Sequence, residues 1–441
     1  MRRRNLFGTL LGALPGTLFA PALGAEPLDE LLAARQRDYA PRLAWRNDAG
    51  WRAQALARAR ERILQPGDDG SGFQPHSLGV EVHEGLRLER LSLRMSLGDR
   101  AQALWLRPDR PDRPGPLPAV LLLHDHGARF DIGAEKLVEP LRSDAPALRQ
   151  AAQDWTARYF EGAFIGTELA RRGYAVLAVD ALGWGSRSRP GFVRDDQQAL
   201  AAHLMQLGLH WAGVIASDDL RSLRWLREQA QVDAQRVAVF GFSMGAWRAW
   251  QLAALEPGVA ACVAAHWMAP RRDGLLRPGE HSLLGQSAFA MLHPGLAAEL
   301  DHPDVAALIA PRPLLLFASP EDRLFPFDAV QRAASQLARA WPAEGALRYV
   351  SLPGGHRFGR DAQTLAWDWL QGAMPGALPC ATACADWSAT APPHRPPTAR
   401  CGSGRLRGGA DLGCRARARR SAREAPALPC RSVDRSDTRR S

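Results

Sequence analysis

The stretch Val237-Ala238-Val239-Phe240-Gly241-Phe242-Ser243-Met244-Gly245 decides how this chain is read. Its first four residues form a short continuous apolar run, the pattern of a strand buried on both faces of a sheet. Residues 246–255, next in the chain, have the length and composition of a helix. Glycines on either side of Phe242-Ser243-Met244 allow a turn too tight for side chains at those positions, and such a turn lifts the Ser243 hydroxyl off the C-terminal edge of the sheet. The Met244 amide then stands at a helix N-terminus, aimed where a negatively charged oxygen would form.

Working outward, similar apolar runs stand at 119–123, 175–179, 260–263 and 313–317, with helix-length segments between them, notably 217–231 with Leu220, Leu223 and Leu226 at helical spacing. Two alternating segments, 86–95 and 101–106, suit an antiparallel pair, and helical stretches at 28–37 and 50–64 precede them. Strand and helix alternating over some 250 residues predict an α/β fold with a doubly wound, mostly parallel sheet.

A serine hydroxyl is a poor nucleophile near neutral pH, so a base must take its proton and a carboxylate must orient that base. In a fold of this kind the chain order is serine, acid, histidine. After the run ending at Phe317 comes Ala318-Ser319-Pro320-Glu321-Asp322, which puts Asp322 in a loop at a strand's C-terminal end. Glu321 is the neighbouring alternative, and a turn aspartate capping the helix that starts near Asp328 is the bland one. The strand at 346–352 then runs into Pro353-Gly354-Gly355-His356, where glycines let the loop carry His356 over the turn. The second donor to an oxyanion is expected after 119–123, at His124-Asp125-His126-Gly127, from the amide of Asp125 or of His126, with His126 favoured. Adjacent His-Asp-His side chains rarely converge on one ion, so no metal is expected. Trp184, Trp211, Trp247 and Trp267 read as core, with Asp125, Trp184 and Trp267 as possible pocket residues.

With these residues in place the chain resembles the α/β-hydrolase superfamily, within it the dienelactone hydrolase and acetyl xylan esterase-like branch. The resemblance covers about residues 80–373 and includes Asp180-Ala181-Leu182-Gly183-Trp184-Gly185-Ser186, Asp218-Asp219-Leu220-Arg221 and the run from Asp304 to Pro313. It implies Ser243 as nucleophile, Asp322 as acid and His356 as base, with no cofactor. The serine, where dienelactone hydrolases carry cysteine, favours ester hydrolysis. The loop at Asp322 also resembles that of prolyl oligopeptidases, which leaves a serine peptidase as an alternative. That family usually carries a large β-propeller before its catalytic domain, and the segment ahead of the sheet is too short for one. A non-catalytic binding protein on the same fold is the other alternative.

The chain has 441 residues with 46% hydrophobic and 23% charged, an ordinary globular composition. Its net charge of +10 is concentrated at the ends: residues 1–25 hold Arg2, Arg3 and Arg4 without an acid, and residues 376–441 hold 13 arginines against five acids. The nearly neutral body therefore gives no reason to expect a nucleic-acid partner. Residues 1–25 have the layout of a secretory signal, Sec-type or twin-arginine, which predicts a periplasmic or secreted protein. No later apolar run approaches the ~18 residues of a membrane span. Residues 26–79 read as a helical extension, 80–374 as the catalytic domain, and 375–441 as a disordered or spurious Arg/Ala/Pro-rich tail, with a disulfide or metal module as the weakest reading of its five cysteines. Cys262, in the body, reads as a buried inert thiol. Lys136 is the single lysine among 56 basic residues, a mark of a GC-rich gene. The insert 128–162 is long enough to shape or cover an acyl site. Arg129, Asp131, Glu135, Arg271, Arg272 and Asp273 suggest a solvated rim around a small pocket. Export argues for an extracellular ester, and the resemblance implies acetyl or other short acyl groups on a carbohydrate or related small molecule.

Overall fold

Among the described residues, nine strands form one sheet: β1 (His76–His83), β2 (Leu86–Arg94), β3 (Arg100–Pro108), β4 (Leu117–Leu123), β5 (Ala175–Val179), β6 (Val232–Phe242), β7 (Ala261–Ala265), β8 (Leu314–Ala318) and β9 (Leu347–Ser351). Their order is β1-β2-β3-β5-β4-β6-β7-β8-β9. Neighbours up to the β3–β5 pair are antiparallel and the rest are parallel. The computed structural model describes residues 27–374 apart from 49, 67–69, 110–114, 277–285 and 343–345. The expected signal at 1–25 and the expected tail at 375–441 lie outside the described residues.

The helices are α1 (Pro27–Arg37), α2 (Trp51–Ile63), α3 (Pro146–Tyr159), α4 (Ile165–Arg171), α5 (Asp196–Gln206), α6 (Trp211–Arg227), α7 (Met244–Leu255), α8 (Leu296–Glu299), α9 (His302–Ala307), α10 (Phe327–Ala338) and α11 (Arg360–Ala373). They cover both faces of the sheet, which is why the parallel strands are apolar throughout rather than alternating. Ala119, Leu121 and Leu123 of β4 face a core closed by α2, α6, α7 and α10, whereas Val120 and Leu122 face one closed by α3, α4 and α11. No described helix is by itself long and apolar enough to cross a membrane.

Two elements differ from the sequence expectation. The helix expected at 217–231 begins six residues earlier, because the His210 side chain accepts the Gly213 amide and caps it. The segment expected to be wholly helical before residue 80 ends in β1, an edge strand whose Leu78, Val80 and Val82 stay exposed and so give no core-like pattern. Helix α2, by contrast, belongs to the core: Trp51, Ala55, Ala59 and Ile63, four residues apart, are buried along one stripe. Across the top of the sheet, parallel pairing aligns Leu123 with Gly241, Phe242 with Ala265, Ala265 with Phe317 and Ala318 with Ser351. The residues just past each strand therefore meet along one edge, where open α/β sheets bind ligands.

Candidate active site

The turn after β6 is as tight as its glycines predict. A Cβ at Gly241 would lie 1.9 Å from the Gly245 carbonyl oxygen, and one at Gly245 would lie 1.9 Å from that of Leu123. Ser243 adopts φ 55°, ψ −126°, a conformation L residues rarely hold, and Met244 opens α7 immediately after it. The His356 ring stands between two groups from different loops. Its Nε2 is 2.8 Å from Ser243 Oγ and its Nδ1 is 2.8 Å from Asp322 Oδ2. The three residues singled out by sequence are thus brought together. Glu321 instead accepts the Gly354 amide, and α10 is preceded by Pro326 with no side-chain cap, so Asp322 does not cap that helix although its Oδ1 accepts the Leu324 amide in a local turn.

Sequence reasoning missed a fourth member. His266, the first residue past β7, places its Nδ1 3.1 Å from the same Asp322 Oδ2. Since a carboxylate can only accept, both rings must present N–H there. Burial pushes the Asp322 carboxyl upward, but the hydrogen bonds from His266 and His356 outweigh it and hold the group well below its ordinary range. Burial lowers the His266 pKa, with the bond to Asp322 working against it. His266 also has a positive φ of 62°, so its placement is enforced by its surroundings. Ligand atoms of His266, Asp322 and His356 lie within 4.8 Å of one another, a spacing that would suit a metal. Both rings, however, use the atom facing the carboxylate as a hydrogen-bond donor, and an ion there would have to displace both protons.

The loop after β4 closes the other side. Asp125, His126 and Gly127 line a cavity of about 410 Å³ together with Ser243, Met244 and His356. The His126 ring is engaged elsewhere: Nε2 bonds Gln197 Oε1 at 2.5 Å, Nδ1 accepts the Ala128 amide, and burial pushes its pKa down to about 3. Its contribution to the cavity is therefore backbone. His124 donates from Nδ1 to the Asp125 carbonyl and accepts the Ala181 amide at Nε2. Trp267 lines the cavity, but Trp184 does not. It is fully buried, stacks on Trp211 with ring centroids 5.3 Å apart, and donates its indole N–H to the His126 carbonyl. The expected rim residues are also absent from the lining. Glu135 is buried against Arg90 and Arg271 pairs with Asp301, while Arg158 and Arg194 stand at the cavity instead.

A family model described as the Abhydrolase family matches residues 36–343. The chain belongs to the Abhydrolase family. A Bacillus subtilis (strain 168) relative named as a hydrolase, YtaP, is 28% identical over 303 residues, which are 67% of this chain and 91% of the relative. Among solved structures, a Bacteroides fragilis protein described as an acetyl xylan esterase superposes with a TM-score of 0.56 at 19% identity, over 76% of this chain and 83% of that one. The glucuronoyl esterase of Solibacter usitatus gives 0.52 at 16% identity, over 75% and 94%. At such identities the shared property is the α/β-hydrolase fold. This Abhydrolase-family protein is a hydrolase whose sheet order and strand-end cavity accord with that fold.

Proposed function

We propose that the protein is an exported serine carboxylic-ester hydrolase acting on short acyl esters, among them acetyl esters of carbohydrates. Ser243 attacks the ester carbonyl while His356 Nε2 takes the hydroxyl proton. Asp322 orients the ring and steadies the imidazolium, and the Met244 and His126 amides receive the oxyanion. His356 then protonates the leaving alcohol, and water, activated by the same ring, releases the acid from the acyl-enzyme. The observation that carries this reading is the His356 ring, 2.8 Å from the hydroxyl on one side and 2.8 Å from the carboxylate on the other. The names of two structural relatives, an acetyl xylan esterase and a glucuronoyl esterase, support a carbohydrate-linked ester. Export rests on the arginine-led apolar stretch at residues 1–25 and implies a periplasmic or secreted enzyme.

The deciding experiment is turnover of p-nitrophenyl acetate and a peptide amide panel by the wild type and by Ser243→Ala. The alanine variant is expected to lose several orders of magnitude in kcat on the ester while remaining folded. Full activity in that variant would overturn the assignment, and faster amide than ester hydrolysis by the wild type would make it a peptidase.

A further inference from the structure

The chain's single lysine is buried directly behind the loop after β4. Lys136 Nζ lies 2.9 Å from the Asp125 carbonyl oxygen and 3.0 Å from that of His126. It stands 4.8 Å from the Trp155 ring centroid and 3.8 Å from Asp125 Oδ1, with no exposed side-chain surface. A buried ammonium is costly, and here its donors meet two consecutive backbone carbonyls rather than a close carboxylate.

Peptide geometry gives this arrangement a consequence. In a trans peptide the C=O and the following N–H point in opposite directions. The peptides joining residues 124–127 are trans. An ammonium holding the Asp125 and His126 carbonyls on the core side therefore turns the amides of His126 and Gly127 to the cavity side. Both residues line the cavity beside Ser243, and among the described residues no acceptor takes either amide. Other donors reinforce the same sense: Arg248 holds the His124 carbonyl and Trp184 that of His126.

We infer that Lys136 is the positioning residue of the oxyanion hole, orienting and polarising the His126 and Gly127 amides from behind so that they meet the charge that develops on the substrate carbonyl oxygen. The inference rests on the serine-esterase reading above. The cation sits on the far side of the peptide planes, touches no substrate, and is already in place before reaction, which is the condition under which such donors are most effective.

The chain's lone lysine makes the test unusually clean, since lysine labelled with nitrogen-15 at Nζ gives one signal. Reaction of the wild type with a fluorophosphonate, which leaves a tetrahedral phosphonyl group on Ser243, should shift that signal by more than its linewidth, and the reagent should leave it unmoved in Ser243→Ala. An unmoved signal in the phosphonylated wild type would overturn the inference. In parallel, Lys136→Met should lower kcat on p-nitrophenyl acetate by about tenfold to a hundredfold with KM nearly unchanged, less than the hundredfold to thousandfold of removing an oxyanion donor outright because the amides themselves remain. Retained kcat in a folded Lys136→Met would also overturn it. Loss of activity in Ser243→Ala with retention in Lys136→Met would remove this inference alone, whereas retention in Ser243→Ala would remove the esterase reading with it.

Discussion

His266 and His356 converge on one atom, Oδ2 of Asp322, at 3.1 and 2.8 Å. The other oxygen, Oδ1, accepts the Leu324 amide. Removing the His266 donor should leave the carboxylate less firmly oriented and without the hydrogen bond that most lowers its pKa. His266→Phe is expected to lower kcat about tenfold, with His266→Gln recovering part of the loss. A kcat identical to wild type in a folded His266→Phe would show that the second ring is packing alone.

Gly245→Ala tests the turn itself. Its Cβ would stand 1.9 Å from the Leu123 carbonyl oxygen, which is backbone and cannot rotate away. The expected outcome is a loss of about 3 kcal/mol or more in urea unfolding, at or beyond the upper end for overpacked sites, together with loss of ester turnover. A variant as stable as wild type would mean that β4 and α7 can part without cost.

Stability against pH isolates Lys136. Burial pushes its pKa from 10.5 down to about 8, opposed by the charge of Asp125. Between those values the unfolded chain holds the proton and the folded chain does not, so this group makes stability rise with pH from about 8 to about 10.5, by on the order of 3 kcal/mol. The stability of the wild type relative to Lys136→Met should therefore climb across that window, the tyrosines cancelling in the comparison. Turnover by the wild type should fall as the pH passes through about 8, where the folded protein loses the ammonium. The charged and titratable groups acting on it, or beside it in this loop, are Asp125, Asp131, Asp180, Arg248, His124 and His126, all common to both proteins. A flat difference curve would count against a buried ammonium.

The cavity of about 410 Å³ bounds the acyl group. Activity on p-nitrophenyl esters should fall as the chain grows from two to about eight carbons, by roughly 1 to 3 kcal/mol where a group no longer fits. A rising series would indicate that the apolar floor of Phe242, Trp267, Met291 and Phe325 receives a long chain instead.

Much of this architecture was legible in the sequence because each feature is local. The strand, turn and helix around Ser243, and the strand-end loops that hold Asp322 and His356, are read from contiguous residues. His266 was not legible because it precedes the acid in the chain and ends an apolar run, where a histidine looks like core. Its partner is 56 residues away. Lys136 reads as a quirk of composition until the rings of Trp155 and Trp184 close around it. Glu135 and Arg271 look solvated for the same reason, since Arg90 and Asp301, which neutralise them, come from other segments.

Helix α2 has a practical bearing on how this protein can be cut. Besides its buried stripe, Arg52 donates to the carbonyls of Leu308 and Ala310, and Arg60 to that of Leu255, the last residue of the helix that starts at the Ser243 turn. A shortened version for fusion or display must begin ahead of Trp51. One that started at β1 would uncover a greasy trench along α7 and leave the Leu255 carbonyl at that helix's far end without the Arg60 guanidinium.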